Sequence, residues 1–183
     1  MDAGYKQLTD FLVALGTDQV PHTEGYFLAH LVGVYRELKA WGAEGPVCCA
    51  GMFHSIYGTE MFQDFSLSLE RRDEVRQLIG ERGEHLAYLN CAMVRSSFDA
   101  NLSQADLEHG SRFQMIDRFA GHQIELSPRE FDDLCAVHLF DWLEQVPRYR
   151  RWTYRREAFK QMAVRLGEKA QAAYDRVYAQ ETA

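Results

Sequence analysis

Apolar residues recur along much of this chain at spacings of three and four, the signature of helices with one buried face. Between Gly4 and Leu15, the residues Leu8, Phe11, Leu12 and Leu15 share a face, and Gly16 is placed to stop the helix. From about Glu24 to Trp41, a second stripe collects Phe27, His30, Leu31, Val34, Leu38 and Trp41, with Gly42 as its end. Arg36 and Lys39 fall on the opposite, solvated side, so His30 is set among core positions. Pro46 suits the first turn of a third helix, Val47 to about Ile56. Its sequence, VCCAGMFHSI, is apolar nearly all round, which predicts a central helix with His54 near its C-terminal end.

The next ten residues, YGTEMFQDFS, carry no stripe and are expected to form a loop over the mouth of any site. Arg72 to Ile79 and Glu81 to Met93 read as further helices, facing inward through Val75, Leu78 and Ile79 and through Leu86, Leu89 and Met93. The pattern weakens from Ser96 to Gly110, where a short helix around Ala105 is expected. FQMIDRFAGHQIELS fits a small hairpin over residues 113–126, turning at Ala120–Gly121. Ser127-Pro128-Arg129-Glu130 is a capping box with proline at the first helical position. The helix it opens should run to about Gln145, closed by Pro147, with Phe131, Leu134, His138, Asp141 and Gln145 on its inward stripe. A last helix, about Tyr154 to Ala179, turns Phe159, Met162, Leu166, Tyr174 and Val177 inward. The fold class expected is all-α, a single-domain helical bundle over residues 1–183 with no internal repeat.

Composition narrows the class of partner. With 46% hydrophobic and 26% charged residues the chain is ordinary for a globular protein, and 183 residues suffice for a sizeable core. A net charge of −7 argues against a general nucleic-acid binder. No apolar run reaches membrane-spanning length, and MDAGYKQLTD lacks a signal-peptide pattern, so a cytoplasmic location is expected. The four cysteines contain no CxxC pair and read as small core hydrophobes.

The chemistry is concentrated on three inward positions. A carboxylate on a buried stripe is costly unless it is paired or binds a metal, so Asp141 needs a partner. His30 and His54 each stand where Leu or Phe would be cheaper. A divalent ion held by His30, His54 and Asp141 accounts for all three, and two histidines with one carboxylate suit Fe, Mn or Zn. Plainer readings stay open. His30 and His54 can be satisfied core histidines, Asp141 can pair with His138 or an arginine, and Asp117 in MIDRFAG is a rival third ligand. His22, His85, His109 and His122 have no stripe or partner that singles them out. PRYRRWTYRREAFK gathers Arg148, Arg150, Arg151, Arg155, Arg156 and Lys160, which reads either as an anion site or as a solvated helix entry or subunit interface.

A histidine on one helix, a second roughly two dozen residues later at the end of a central apolar helix, and an aspartate within a late helix resemble the HD-domain layout. The closest likeness is to the hydrolase half of the RelA/SpoT alarmone enzymes, where VHLFDWLEQ matches in character at Leu139, Asp141, Leu143 and Gln145. The resemblance spans roughly Gly25 to Gln145 and rests on sparse positions. It implies an HD-like bundle with His30, His54 and Asp141 as metal ligands. One departure matters: where that superfamily has His-Asp, this chain has His54-Ser55, and a serine hydroxyl is a poor ligand for a divalent ion. The acidic pair of the alarmone hydrolases is also absent, since Ile56-Tyr57-Gly58-Thr59 stand there, and Glu60 or Asp64 is the candidate replacement carboxylate. His-Ser-Ile-Tyr-Gly-Thr-Glu is similar to the signature of an uncharacterised HD-like bacterial group.

The leading expectation is therefore a metal-dependent HD-like phosphohydrolase acting on a small phosphorylated or nucleotide-type substrate. Ser55 and Glu60 would support the ligands or touch substrate, and arginines would neutralise phosphate charge. An HD-fold non-haem iron oxygenase and a degenerate, non-catalytic ligand-binding domain are the alternatives. A small-molecule substrate is the expected partner, with no specific nucleic acid and no membrane, and a second copy of the chain is left open.

Overall fold

The computed structural model describes residues 3–22, 25–102 and 112–182. The short helix expected around Ala105 lies outside the described residues, as do Glu24 and His109. The fold is all-α apart from two small antiparallel pairs. Helix α1 is Ala3–Ala14, α2 is Phe27–Trp41 and α3 is Gly45–Met52. Then come α4 at Arg72–Ile79, α5 at Glu81–Ala92 and the short α6 at Arg95–Asp99. Strands β1 (Pro21–His22) and β2 (Gly25–Tyr26) pair just before α2. Strands β3 (Phe113–Asp117) and β4 (His122–Leu126) form the expected hairpin, with Phe113 opposite Leu126 and Asp117 opposite His122. Helices α7 (Pro128–Tyr149), α8 (Arg156–Leu166) and α9 (Glu168–Tyr178) complete it. Among the described residues no helix is long and apolar enough to cross a membrane.

Helix α7 is the axis of the core. Ser127 accepts the Glu130 amide while the Glu130 carboxylate takes the Ser127 amide, so the capping box satisfies two of the exposed N–H groups at its start. From Leu134 to Leu143 every residue is buried, so α7 is enclosed rather than half-solvated. One apolar cluster packs α2, α3 and α5 against α7, α8 and α9 through residues such as Val34, Leu38, Leu134, Val137, Phe159 and Met162. A second, around Leu12, Phe27, Leu31, Phe53, Ile56 and Val75, fills the space under α1 and α4.

Three boundaries differ from the expectation. Pro147 lies inside α7 and does not close it; the ring forfeits one helical bond, the one its N–H would have given to the Leu143 carbonyl, and the helix continues to Tyr149 before Arg150 turns left-handed. The single C-terminal helix is two, because Gly167 at φ +92° breaks it between α8 and α9. Helix α3 stops at Met52, so His54 sits in the turn that follows rather than on the helix.

That turn is held from several sides. The His54 carbonyl accepts the Asn90 amide at 2.8 Å and the Cys91 thiol at 3.1 Å, both from α5. Arg118 from the hairpin reaches the Gly58 carbonyl at 2.7 Å, and the Ile56 carbonyl takes the Leu67 amide at 2.8 Å. Tyr57 donates to the buried Glu84 carboxylate at 3.0 Å, which Arg72 clamps with two bonds of 2.6 and 3.0 Å. Removing Arg72 leaves a carboxylate with 1% side-chain exposure with the neutral Tyr57 hydroxyl and, as its opposite charge, the longer contact to Arg76 at 3.5 Å. Arg72→Ala should therefore destabilise the protein by about 3 kcal/mol, measured by urea unfolding.

Candidate metal centre

The structure brings His30, His54 and Asp141 together. His30 Nε2 lies 3.1 Å and His54 Nε2 3.3 Å from Asp141 Oδ1, and the two Nε2 atoms are 3.3 Å apart. Atoms bound about 2.1 Å from one ion in tetrahedral or octahedral geometry stand about 3.0–3.4 Å from each other, so the triangle has the size of a ligand set. All three residues are buried, and they form a group able to hold a metal ion.

The far nitrogen of each imidazole decides what the near one offers. His54 Nδ1–H donates to the Gly51 carbonyl at 2.7 Å, one of the carbonyls left open by the end of α3. His30 Nδ1–H donates to Glu144 Oε2, and Arg148 holds the same oxygen at 2.7 Å. With both Nδ1 atoms committed as donors, both Nε2 lone pairs face Asp141, the arrangement that orients metal-binding histidines. Gln145 donates to Asp141 Oδ1 at 2.8 Å and fixes that carboxylate in turn.

Glu144 is the functional residue that the sequence reading missed. It stands three residues after Asp141, and room for it comes from Gly33, three residues after His30. A Cβ at position 33 would lie 2.7–2.9 Å from the Glu144 Oε1, Cγ and Cδ atoms. The glycine lets α2 approach α7 closely enough for the carboxylate to lie across it. A one-turn relation on α2 paired with another on α7 has no periodic signal in the sequence.

Charge follows the geometry. Burial alone would lower the pKa of His30, but hydrogen bonds and charge from Asp141 and Glu144 outweigh it and hold the value at about 9. Burial works against ionisation of Asp141, yet the His54 and His30 contacts carry its pKa well below the ordinary carboxylate range. Burial likewise opposes Glu144, which His30 and Arg148 nevertheless hold low.

Beside the triangle opens a cavity of about 300 Å³. Phe62 and Asp64 from the 58–67 loop, Arg95, Trp142, Arg151 and Arg155 help to line it. The loop over the mouth is thus as expected. Ser55 is buried and lines the cavity next to His54. Glu60 does not reach it: the side chain is exposed and accepts the Arg95 backbone amide at 3.0 Å, holding the start of α6. Its expected role at the reacting centre is corrected accordingly. Asp64 lines the mouth but lies outside the ligand group.

Asp117, the rival ligand, is occupied elsewhere, accepting Tyr88 at 2.6 Å and the Phe119 and Ala120 amides in the hairpin turn. His22 is a second residue missed. Its ring lies 4.6 Å from that of His30 and lines the cavity, and burial with His30 beside it lowers its pKa to about 4. It arrives on the two-residue strand β1, too short to leave a pattern. His85 pairs with Glu130 at the surface, and His122 is exposed on β4. The basic segment divides: Arg151 and Arg155 line the cavity, whereas Arg148 binds Glu144 and Arg156 binds Glu181.

Two outcomes are expected. Glu144→Gln should weaken divalent-metal affinity by about 10–100-fold in a competitive chelator titration, and Gly33→Ala should do the same by displacing the carboxylate. In chelator-treated protein, His30 is raised from 6.5 to about 9, so its stabilisation is complete below 6.5 and lost as pH rises through 9. Urea unfolding should show that decline, and His30→Gln should remove it.

Comparison with known proteins adds one match. Residues 11–95, under half of the chain, are similar to a family model described as a domain of unknown function, DUF6817. That span holds His22, His30, His54 and Ser55 but ends before Asp141. No curated protein and no solved structure matches the chain.

Proposed function

We propose that this protein is a metal-dependent hydrolase of small phosphate esters, with an HD-like ligand set reduced to three residues. The observation that carries the reading is the convergence of two imidazole lone pairs and a carboxylate oxygen, 3.1–3.3 Å apart, on a cavity whose wall contains arginines. His30, His54 and Asp141 would hold the ion, leaving its other positions to water or substrate. Such an ion supplies Lewis acidity and a water that ionises near neutral pH.

The chain's own groups support an anionic substrate. Arg95 donates to the Tyr154 hydroxyl at 2.8 Å, and Arg151 lies 4.6 Å over the Tyr149 ring. Neither is engaged by a side-chain carboxylate among the described residues, so their charge remains available to a phosphoryl group. Trp142 and Phe159, stacked 5.1 Å apart, provide an apolar wall that excludes water. Ser55 replaces the second acidic ligand with a neutral hydroxyl, which favours one ion over two.

The same substitution supports a second reading. Two histidines and one carboxylate are the complement of non-haem iron oxygenases, so an HD-fold oxygenase is the alternative. Metal analysis of protein purified without added metal, combined with assays on a phosphomonoester panel and oxygen uptake, separates the two. Manganese- or zinc-dependent release of phosphate, abolished in His54→Ala together with metal content, is the expected result. Stoichiometric iron with oxygen consumption and no phosphate release would replace the hydrolase by the oxygenase. Full metal retention in His54→Ala would remove both.

A further inference from the structure

The cavity wall carries a hydroxyl that the protein leaves uncommitted. Ser55, next to His54 in the turn after α3, is 4% exposed and lines the cavity. A serine just past a helix can give its proton to the carbonyl four residues back. Here that carbonyl belongs to Gly51, which takes the His54 Nδ1–H at 2.7 Å, and no described residue hydrogen-bonds Ser55 Oγ. Thr59, equally buried and also lining the cavity, shows the contrast. Its Oγ1 accepts the Phe62 amide at 3.0 Å and so holds the loop.

A hydroxyl without a partner is either sealed in the protein, at a cost of about 1–3 kcal/mol, or open to solvent. Among the described residues the side-chain atoms sealed without a partner are His22 Nε2, Asn90 Oδ1 and His138 Nδ1, and Ser55 Oγ is not one of them. The oxygen therefore keeps an accessible face, and the space that Ser55 borders is the cavity shared with His30, His54 and Asp141.

The chemistry of the position follows from its neutrality and its stiffness. A carboxylate beside His54 would repel an anionic substrate, whereas a hydroxyl can donate to it. Arg95 and Arg151 bring charge to the same cavity on long side chains. Ser55 instead turns about one side-chain bond, on a backbone held by Asn90 and Cys91 at the His54 carbonyl and by the Gly58 amide at its own carbonyl. A donor so held is in place before the ligand arrives.

We infer that the Ser55 hydroxyl is a substrate-binding donor, directed at an oxygen of a phosphoryl group bound beside His54. The inference rests on the phosphate-type substrate of the proposed function, but the hydroxyl needs no metal to make its hydrogen bond. It gives the site a neutral contact that reads oxygen position where the arginines read charge.

Isothermal titration calorimetry of the zinc-treated full chain with inorganic phosphate, at low and at high salt, tests it. Ser55→Ala removes the hydroxyl and adds no bulk; phosphate affinity should fall about tenfold, by the same factor at both salt concentrations because the lost donor is neutral. Arg151→Gln should lose affinity chiefly at low salt. Zinc content and urea midpoint of Ser55→Ala should match the wild type; a fall in either alongside the affinity would assign the hydroxyl to holding His54 and overturn the inference. Wild-type affinity in Ser55→Ala, a loss that shrinks with salt, or absence of phosphate binding to the wild type would overturn it as well. Zinc uptake by the wild type judges the proposed function separately. A Ser55-dependent phosphate site in protein that takes up no metal would sink the metal reading alone. Zinc-dependent ester hydrolysis with normal phosphate binding in Ser55→Ala would sink the inference alone.

Discussion

Three lone-pair-bearing atoms cannot be packed 3 Å apart in a protein interior without something positive between them. That constraint governs the centre of this molecule. His54 is locked by the Gly51 carbonyl and His30 by Glu144, so neither ring can turn its Nε2 lone pair away from Asp141. A proton on His30 meets the need in one state, which is why its pKa stands near 9 despite burial. A divalent ion would meet it in another, and binding one would displace that proton. The same carboxylates would serve either occupant, and the buried charge on Asp141 would be compensated either way.

Much of the scaffold exists to keep the three donors in register. Two of them belong to rigid helices, His30 to α2 and Asp141 to α7, and Gly33 lets those helices approach. The third is on a turn, and turns are ordinarily loose. Here Asn90, Cys91 and Arg118 hold its backbone, and the buried Tyr57–Glu84–Arg72 link anchors its far side. The precision expected of a site on helices is thereby extended to a residue that has left one.

The helices and the buried His30–His54–Asp141 group were legible because both are periodic or costly. Stripes of three and four identify α2 and α7, the capping box marks the start of α7, and a histidine or aspartate on such a stripe is expensive enough to demand an explanation. What was not legible depends on contacts between elements. Glu144 looked like one more polar residue because its use depends on Gly33 across a helix interface. His22 sits on a strand of two residues. The early end of α3 coincides with the His54 ring bonding back to the Gly51 carbonyl, a contact that an apolar run conceals. Glu60 seemed placed for chemistry only because its loop could not be traced, and its carboxylate instead holds the Arg95 amide.

The distribution of the site along the chain has a consequence for how the protein holds together. His30 and His54 are 24 residues apart, whereas the partner of His30 on α7 is 114 residues away. The first pair can be assembled by the N-terminal helices; the triangle closes only when α7 has docked. An ion seated there would be a reversible cross-link between distant parts of the chain, of the kind that disulfides supply permanently. Occupancy would then be a variable of folding, because ligand binding to the native state alone draws the equilibrium toward it. In a protein whose cysteines are all free thiols, this group, able to hold a metal ion, is the one place among the described residues where the two ends of the core could be tied and untied.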